Sequence, residues 1–280
     1  MIKAQQHDRA QTIPAPERLA AIDNAPKPIL SKPSHMMMGQ RGRWHRHDDR
    51  GQLIYPYKGR CRIYTDDRVW IGAPSRAVWV PAGVIHTVQA IDALYVHNIY
   101  IDTTRYPEFD DRCHLVLIDS LLEDLLEFSS AISTDAPRYG KTRHYTLHLL
   151  ADLIRTRRDA VTPQLPISND RRLRIIMDGL IENPGDGRSL EQWACVACGS
   201  SRTLARLFIK ETAMTFQQWR QHRRVIAAIT LLENGHSISR IASDLGYISQ
   251  SAFTAMFRRI TGRCPTQLPA LSATKTRGLM

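Results

Sequence analysis

A short pattern occurs twice in the last third of this chain, at residues 190–209 and again at 238–261, and it limits the fold more than any other feature. Each copy reads as a short apolar helix, a turn centred on glycine, and a second helix with one polar face. Gly199 leads into Ser200, Ser201 and the run Arg202-Thr203-Leu204-Ala205-Arg206-Leu207-Phe208. Gly246-Tyr247 leads into Ser249, Gln250 and the run Ser251-Ala252-Phe253-Thr254-Ala255-Met256-Phe257. Two tandem helix-turn-helix units on one chain are the geometry of a DNA reader.

The charge distribution agrees. From Arg171 to the end there are 16 Lys and Arg against 7 Asp and Glu, a balance of +9, whereas the first 170 residues hold 22 against 20. The C-terminal part should attract a polyanion and the front part has no such bias. No stretch approaches the length of a membrane span, and residues 1–20 lack the apolar segment of a secretory signal. Five cysteines, an odd number in 280 residues, fit a reducing cytoplasm better than a disulfide framework.

The expected fold class is α+β. Residues 1–34, with Pro14, Pro16, Pro26, Pro28 and Pro33, read as a mobile arm. Residues 35–115 read as a small sandwich or barrel, with strands around Leu53-Ile54-Tyr55, Cys61–Tyr64, Val69-Trp70-Ile71, Ala77-Val78-Trp79-Val80 and Leu94 to Ile101. Asp48-Asp49-Arg50-Gly51, Lys58-Gly59, Asp66-Asp67 and Pro81-Ala82-Gly83 supply the turns. Residues 116–155 carry two leucine-striped helices, marked by Leu121, Leu122, Leu125 and Leu126 and by Leu147, Leu149, Leu150, Leu153 and Ile154. These stripes can pack onto the barrel or across a dimer, and spacing alone leaves both open. Residues 156–170 read as a linker, and 171–280 as an all-α DNA-binding domain.

On the first reading helix Leu204, Leu207 and Phe208 share one face, which puts Arg202 and Arg206 opposite. Two arginine forks side by side suit bidentate bonds to guanine or grips on phosphate. On the second, Phe253, Met256, Phe257 and Ile260 form the apolar stripe, opposite Ser251, Thr254, Ala255 and Arg258, with Gln250 at the edge. Gln reads adenine and Ala or Thr meets the thymine methyl, while Arg258 and Arg259 suit phosphate. The candidate DNA-binding residues are therefore Ser201, Arg202, Thr203, Arg206, Gln250, Ser251, Thr254 and Arg258. A long helix over 216–234 joins the units, with Arg220, Arg223 and Arg224 expected on its outer surface. Cys195 and Cys198 form a Cys-x-x-Cys pair; without further ligands at zinc-finger spacing, packing as small hydrophobes is favoured over redox sensing.

The stretch from Leu190 to Pro265 resembles the DNA-binding domain of the AraC/XylS family of bacterial transcription regulators. The carrying residues are Leu190, Ala194, Ser200, Leu204, Arg206, Phe208 and Arg223, then Ile238, Ile241, Ala242, Leu245, Gly246-Tyr247, Ser249, Ser251, Phe253, Phe257, Arg258, Thr261-Gly262 and Pro265. Ala213 stands where the family usually has glycine, and Ile209 where it has a basic residue. In front, Gly39, His45, His47, Gln52 and Gly59 follow the spacing of the first cupin motif, with Gln52 for the usual Glu. Pro81, Gly83 and His86 follow the core of the second. The resemblance implies an N-terminal cupin-like β-barrel that senses an effector.

His45 and His47, two apart on a strand, point to one face, and His86 can approach them. Three imidazoles and the Gln52 amide could hold a divalent zinc, nickel or iron ion; the alternative is a metal-free pocket whose histidines bind the effector. Trp44, Tyr55, Trp70 and Trp79 are candidate pocket walls, although aromatics in a barrel are more often core. The expected function is sequence-specific regulation of transcription on double-stranded promoter DNA, controlled by a small-molecule or metal effector, without enzymatic activity. A homodimer and contact with RNA polymerase are further expectations. The competing reading is a metal-dependent cupin oxygenase or isomerase with an accessory DNA-binding domain.

Overall fold

The computed structural model describes residues 16–131, 140–159 and 164–268. The chain divides into two compact units: residues 1–66 with 70–159, and residues 67–69 with 160–280. Residues 1–15 of the expected arm, 160–163 of the expected linker and 269–280 lie outside the described residues.

The first unit is rich in sheet. After helix α1 (Pro16–Asp23) come strands β1 (Ile29–Met36), β2 (Arg50–Lys58), β3 (Cys61–Tyr64), β4 (Arg68–Gly72), β5 (Arg76–Val80), β6 (Thr87–Ala90), β7 (Leu94–Asp102) and β8 (His114–Leu117). One sheet has the order β1-β7-β2-β5-β8, and the other runs β6-β3-β4. Strand alternation gives the first sheet two different faces. On β2, Leu53 and Tyr55 point one way, where they are buried with Trp79, Ile99 and Val116 beneath helices α2 (Ser120–Ala131) and α3 (Gly140–Thr156). Ile54 points the other way, joining Val78, Val80, Leu94 and Val96 against Cys61, Ile63 and Trp70 of the second sheet.

Leu122, Leu126, Leu147, Leu150 and Ile154 are buried in the core between helices and sheet, so these parts of the leucine stripes pack within the chain. Leu121 and Leu149 stay exposed. Gly51 is required by packing rather than by a turn: a Cβ there would lie 2.2 Å from the Trp79 ring, so Arg50 and Gly51 belong to β2 and not to the turn expected at 48–51. Trp79 and Tyr55 face the helices, which removes both from the expected pocket wall.

Three expected boundaries move. Residues 16–34 are not a mobile arm, because Pro16–Asp23 is helical and β1 pairs with β7 along its whole length. Arg50 fixes the stretch between them, its Nη2 donating to the carbonyls of Ala25 at 2.6 Å and Lys27 at 3.0 Å. The division at 115/116 cuts β8. Both described ends of the expected linker are packed: Asp159 is a buried partner of Arg76 in the first unit, while Leu165–Pro166, strand β9, pairs with Arg68 and Val69 in the second.

The second unit continues with α4 (Arg171–Glu182), α5 (Leu190–Val196), α6 (Ser201–Thr212), α7 (Phe216–Glu233), α8 (Ile238–Asp244), α9 (Gln250–Thr261) and a short 3-10 turn at Pro265–Gln267. Asp170 caps α4, and serine or threonine caps begin α5 to α9. Ser189 and Thr215 form capping boxes with Gln192 and Gln218, and Ser200, Ser237 and Ser249 accept backbone N–H groups of the first turns. Such a cap contributes about 1 kcal/mol. Phe208 of α6 packs beside Phe216 and Trp219 of α7, and the Trp219 indole donates to the Pro166 carbonyl at 2.6 Å. Phe253, Met256 and Phe257 of α9 bury against Val225, Ala228 and Ile229 of α7 and against Ile241 and Leu245 beside them.

Candidate nucleic-acid interface and effector-domain cluster

The two helix pairs, α5 with α6 and α8 with α9, each present the polar face that the periodicity implies. On α6, Leu204 and Phe208 are buried, Leu207 is half-buried, and Arg202, Thr203 and Arg206 are exposed, with Ser201 half-buried. Thr203 is partly occupied locally: its N–H donates to Ser200 Oγ at 3.1 Å and its hydroxyl lies 2.9 Å from the same oxygen. On α9, Gln250, Ser251 and Arg258 are exposed and Thr254 is half-buried. Ser251 Oγ sits 2.9 Å from the capping Ser249 Oγ.

Several arginines elsewhere in this unit are tied down. Arg172 is held by Asp170, Arg174 by Asp178, Arg188 by Asp186, and Arg259 donates to Gln221 Oε1. Among the described residues, no carboxylate pairs with Arg202, Arg206 or Arg258. Their guanidinium groups therefore keep their donors for an external acceptor, and the geometry of Arg matches a phosphate or a guanine edge.

Two expectations for this unit fail. Arg223 and Arg224 are only 8% and 7% exposed and point inward. Arg223 Nη2 donates to the Ile181 carbonyl at 2.8 Å, and Arg224 Nε to the Pro184 carbonyl at 3.1 Å. Helix ends and turns leave carbonyls without partners, and a buried guanidinium satisfies several of them. Arg220 is also partly engaged, donating to the Arg188 carbonyl. Cys195 and Cys198 do not pack as small hydrophobes: both are exposed free thiols, and Cys198 occupies the turn at φ 53.

In the first unit His45, His47 and His86 do come together. The ring centroids of His45 and His86 are 4.3 Å apart, those of His45 and His47 5.4 Å, and those of His47 and His86 6.3 Å. An isolated bridge, not a regular strand, holds His45, which exchanges backbone hydrogen bonds with His86, and the His47 carbonyl accepts from Gly83 N–H. Gln52 reaches the same place from β2. Asn98 and Tyr100 join it from β7, on the face that carries Ile54 and Val96. The space between the sheets is thus apolar around Ile63 and Val78 and polar around these residues.

Each imidazole has one ring nitrogen already engaged. His47 Nδ1 lies 3.0 Å from the Asp23 carboxylate, His45 Nδ1 2.9 Å from the Arg43 carbonyl, and His86 Nδ1 2.9 Å from the Val84 carbonyl. Burial lowers the pKa of all three. It pushes His86 down to about 3, with the neighbouring His45 adding to the effect, whereas the Asp23 carboxylate opposes the shift at His47. A neutral His86 has a single ring hydrogen, yet its Nε2 also faces an oxygen, Gln52 Oε1 at 3.0 Å. The amide of Gln52 is oriented by donation from Nε2 to Asn98 Oδ1 at 2.9 Å, and Asn98 in turn donates to Ser34 Oγ. One of the two contacts of His86 therefore sets lone pair against lone pair. His47 Nε2 is buried with no hydrogen-bond partner among the described residues.

The four expected metal ligands, His45, His47, Gln52 and His86, are neighbours, but among the described residues no three His, Cys, Asp or Glu side chains are placed to share one ion. His86 Nε2 meets Gln52 instead of an open position, and the His47 ring leans toward Asp23 and Tyr100. The cluster does not fit a metal as it stands. Asp23, Asn98 and Tyr100 were not foreseen. For Asn98 and Tyr100 the signal was present, as polar groups in step with Val96 on an otherwise apolar strand.

Comparison with known proteins gives this arrangement a context. Residues 193–270 match the family described as a helix-turn-helix domain, and residues 34–116 the AraC-like ligand binding domain. The HTH-type transcriptional regulator NimR of Escherichia coli is 29% identical over 221 residues, 79% of this chain and 80% of NimR. The HTH-type transcriptional regulator RipA of Corynebacterium glutamicum is 39% identical over 118 residues, 42% of this chain and 35% of RipA. The arabinose operon regulatory protein of Escherichia coli is 27% identical over 129 residues, 44% of this chain and 43% of that protein. A sheet-rich ligand-binding domain followed by a helical DNA-binding domain defines a transcription regulator. The chain belongs to the AraC family. Among the described residues no helix is long and apolar enough to cross a membrane.

Proposed function

We propose that this chain regulates transcription in the cytoplasm by reading a bipartite promoter site, with α5–α6 and α8–α9 as two helix-turn-helix units and α6 and α9 as the reading helices. The exposed, carboxylate-free Arg202 and Arg206 on α6 carry this reading. Arg202, Arg206 and Thr203 face the bases with Ser201 at the edge; Gln250, Ser251 and Thr254 read a second major-groove segment about 10 bp away, and Arg258 grips phosphate. The exposed Leu121 and Leu149 on α2 and α3 support a homodimer. Contact with RNA polymerase follows where the bound site adjoins a promoter.

The effector is a small molecule received at the polar end of a cupin-like barrel, by His45, His47, Gln52 and His86. The buried, unpaired His47 Nε2 supports this, since a ligand that donates a hydrogen bond satisfies it. Named relatives that are transcription regulators favour this function over a cupin oxygenase or isomerase.

Footprinting of the purified chain on the DNA upstream of its own gene tests the reading. Two protected segments one helical turn apart are expected; binding no tighter than to random duplex rejects it. Metal analysis of the same protein tests the effector class: stoichiometric zinc, nickel or iron, lost in His47→Ala, would replace the small molecule by a metal.

A further inference from the structure

The two helix pairs are joined by more than the α7 helix. Between α4 and α5 the chain makes a loop, residues 183–189, that touches both. On one side it reaches the second pair: a Cβ on Gly185 would lie 2.3 Å from the Asp244 carbonyl at the end of α8, and a Cβ on Gly246, at φ 73, would lie 2.9 Å from the Gly185 carbonyl. Such backbone-to-backbone contact leaves no room for any side chain. On the other side it reaches the first pair, where Arg188 is held by Asp186 and lies over the Trp193 ring of α5 at 3.6 Å.

Arg224 of α7 sits at the centre of this strut. Its Nε donates to the Pro184 carbonyl at 3.1 Å and its Nη2 to the Asp186 carbonyl at 3.4 Å. Its guanidinium also covers the Tyr247 ring, 5.0 Å from the centroid, in the turn that introduces α9. Tyr247 in turn packs edge-on to Phe253, the first buried residue of α9. A continuous line of contacts thus runs from Trp193 through Arg188, the loop and Arg224 to Tyr247 and Phe253.

We propose that Arg224 is a positioning residue for DNA recognition: it fixes the distance between the two reading helices, and through it the protein selects the spacing of the two halves of its site. The inference rests on the bipartite reading above. A single helix pair needs no such residue, because each closes its own core. Two pairs that must enter successive grooves together need a fixed separation, and a flexible joint would accept several spacings at lower affinity for each.

The test uses the full chain, the footprinted site, and derivatives with one or two base pairs inserted or removed between the halves, with affinity read by fluorescence anisotropy. Wild type should lose about tenfold or more when the spacing changes, the cost of a mismatched contact. Arg224→Gln should bind the original site about tenfold more weakly and lose less than about threefold on changing the spacing. Tyr247→Leu, which removes the ring but no buried charge, should flatten the spacing dependence in the same direction and serves if Arg224→Gln does not fold. Folded variants that keep the full wild-type spacing penalty overturn the inference. A wild-type footprint confined to one half overturns the bipartite reading itself, and the inference with it, so the two failures are distinct.

Discussion

The two helix pairs use the same backbone with different residues. Both begin with a serine cap, Ser189 and Ser237; both place a left-handed residue in the turn, cap the second helix with Ser200 or Ser249, and stop it with another left-handed residue. In the second pair these left-handed positions are Gly246 and Gly262, both at φ 73. In the first they are Cys198 at φ 53 and Ala213 at φ 57, the non-glycine residues with positive φ among those described. A side chain in that conformation costs roughly 1–2 kcal/mol. The faces differ too, with two carboxylate-free arginines on α6 against a largely neutral α9. Backbone geometry is what the repeat preserves, and residue identity is what separates the two copies.

Three measurements can break or sharpen this comparison. The largest effect should come from the shared scaffold. Phe208→Ala and Phe257→Ala, each emptying a fully buried ring position, should each cost about 3–5 kcal/mol in denaturant unfolding. A cost near zero for one of them would mean that its helix pair is not closed by the core described. Next come the faces. Arg202→Ala should cost about 1–3 kcal/mol of DNA binding and relax base preference in one half of the site. Gln250→Ala should cost about 1 kcal/mol, confined to the other half, and a larger loss there would reverse the ranking of the two faces. The smallest effect concerns the helix stops. Ala213→Gly should raise stability by about 0.5–1 kcal/mol, the relief of the left-handed alanine less the entropy of the added glycine. Gly262→Ala should lower it by about 1 kcal/mol. Equal signs for the two changes would contradict the left-handed stops.

The helix pairs were legible in the sequence because their signals are local: caps, 3.6-residue periodicity and glycine after the helix. Strands β2 to β5 and β7 were legible for the same reason. Strand β1 was not, since Ser31, Lys32, Pro33 and Ser34 give no alternation, and its edge position tolerates the proline. Strands β6 and β8 are four residues each, as β3 is, but they lack the turn signals on both sides, Lys58-Gly59 and Asp66-Asp67, that mark β3. Among site residues, the nearness of His45, His47 and His86 followed from motif spacing. Asp23 did not, because its partner His47 lies 24 residues away and the segment between carries no repeating pattern. Arg223 and Arg224 were misplaced because charge alone argues for solvent, whereas the unsatisfied carbonyls of Ile181 and Pro184 that draw them inward are some 40 residues distant.

The inward arginines alter how the basic balance of the C-terminal region is counted. DNA binding gains from cations released when protein charge replaces them along the phosphates, so affinity falls with added salt in proportion to the phosphates neutralised. A guanidinium that donates to Ile181 or Pro184 releases none, and one neutralised by Asp170, Asp178 or Asp186 releases few. The salt dependence of operator binding therefore reports the handful of outward charges around Arg202, Arg206 and Arg258. It should be far shallower than a formal +9 implies.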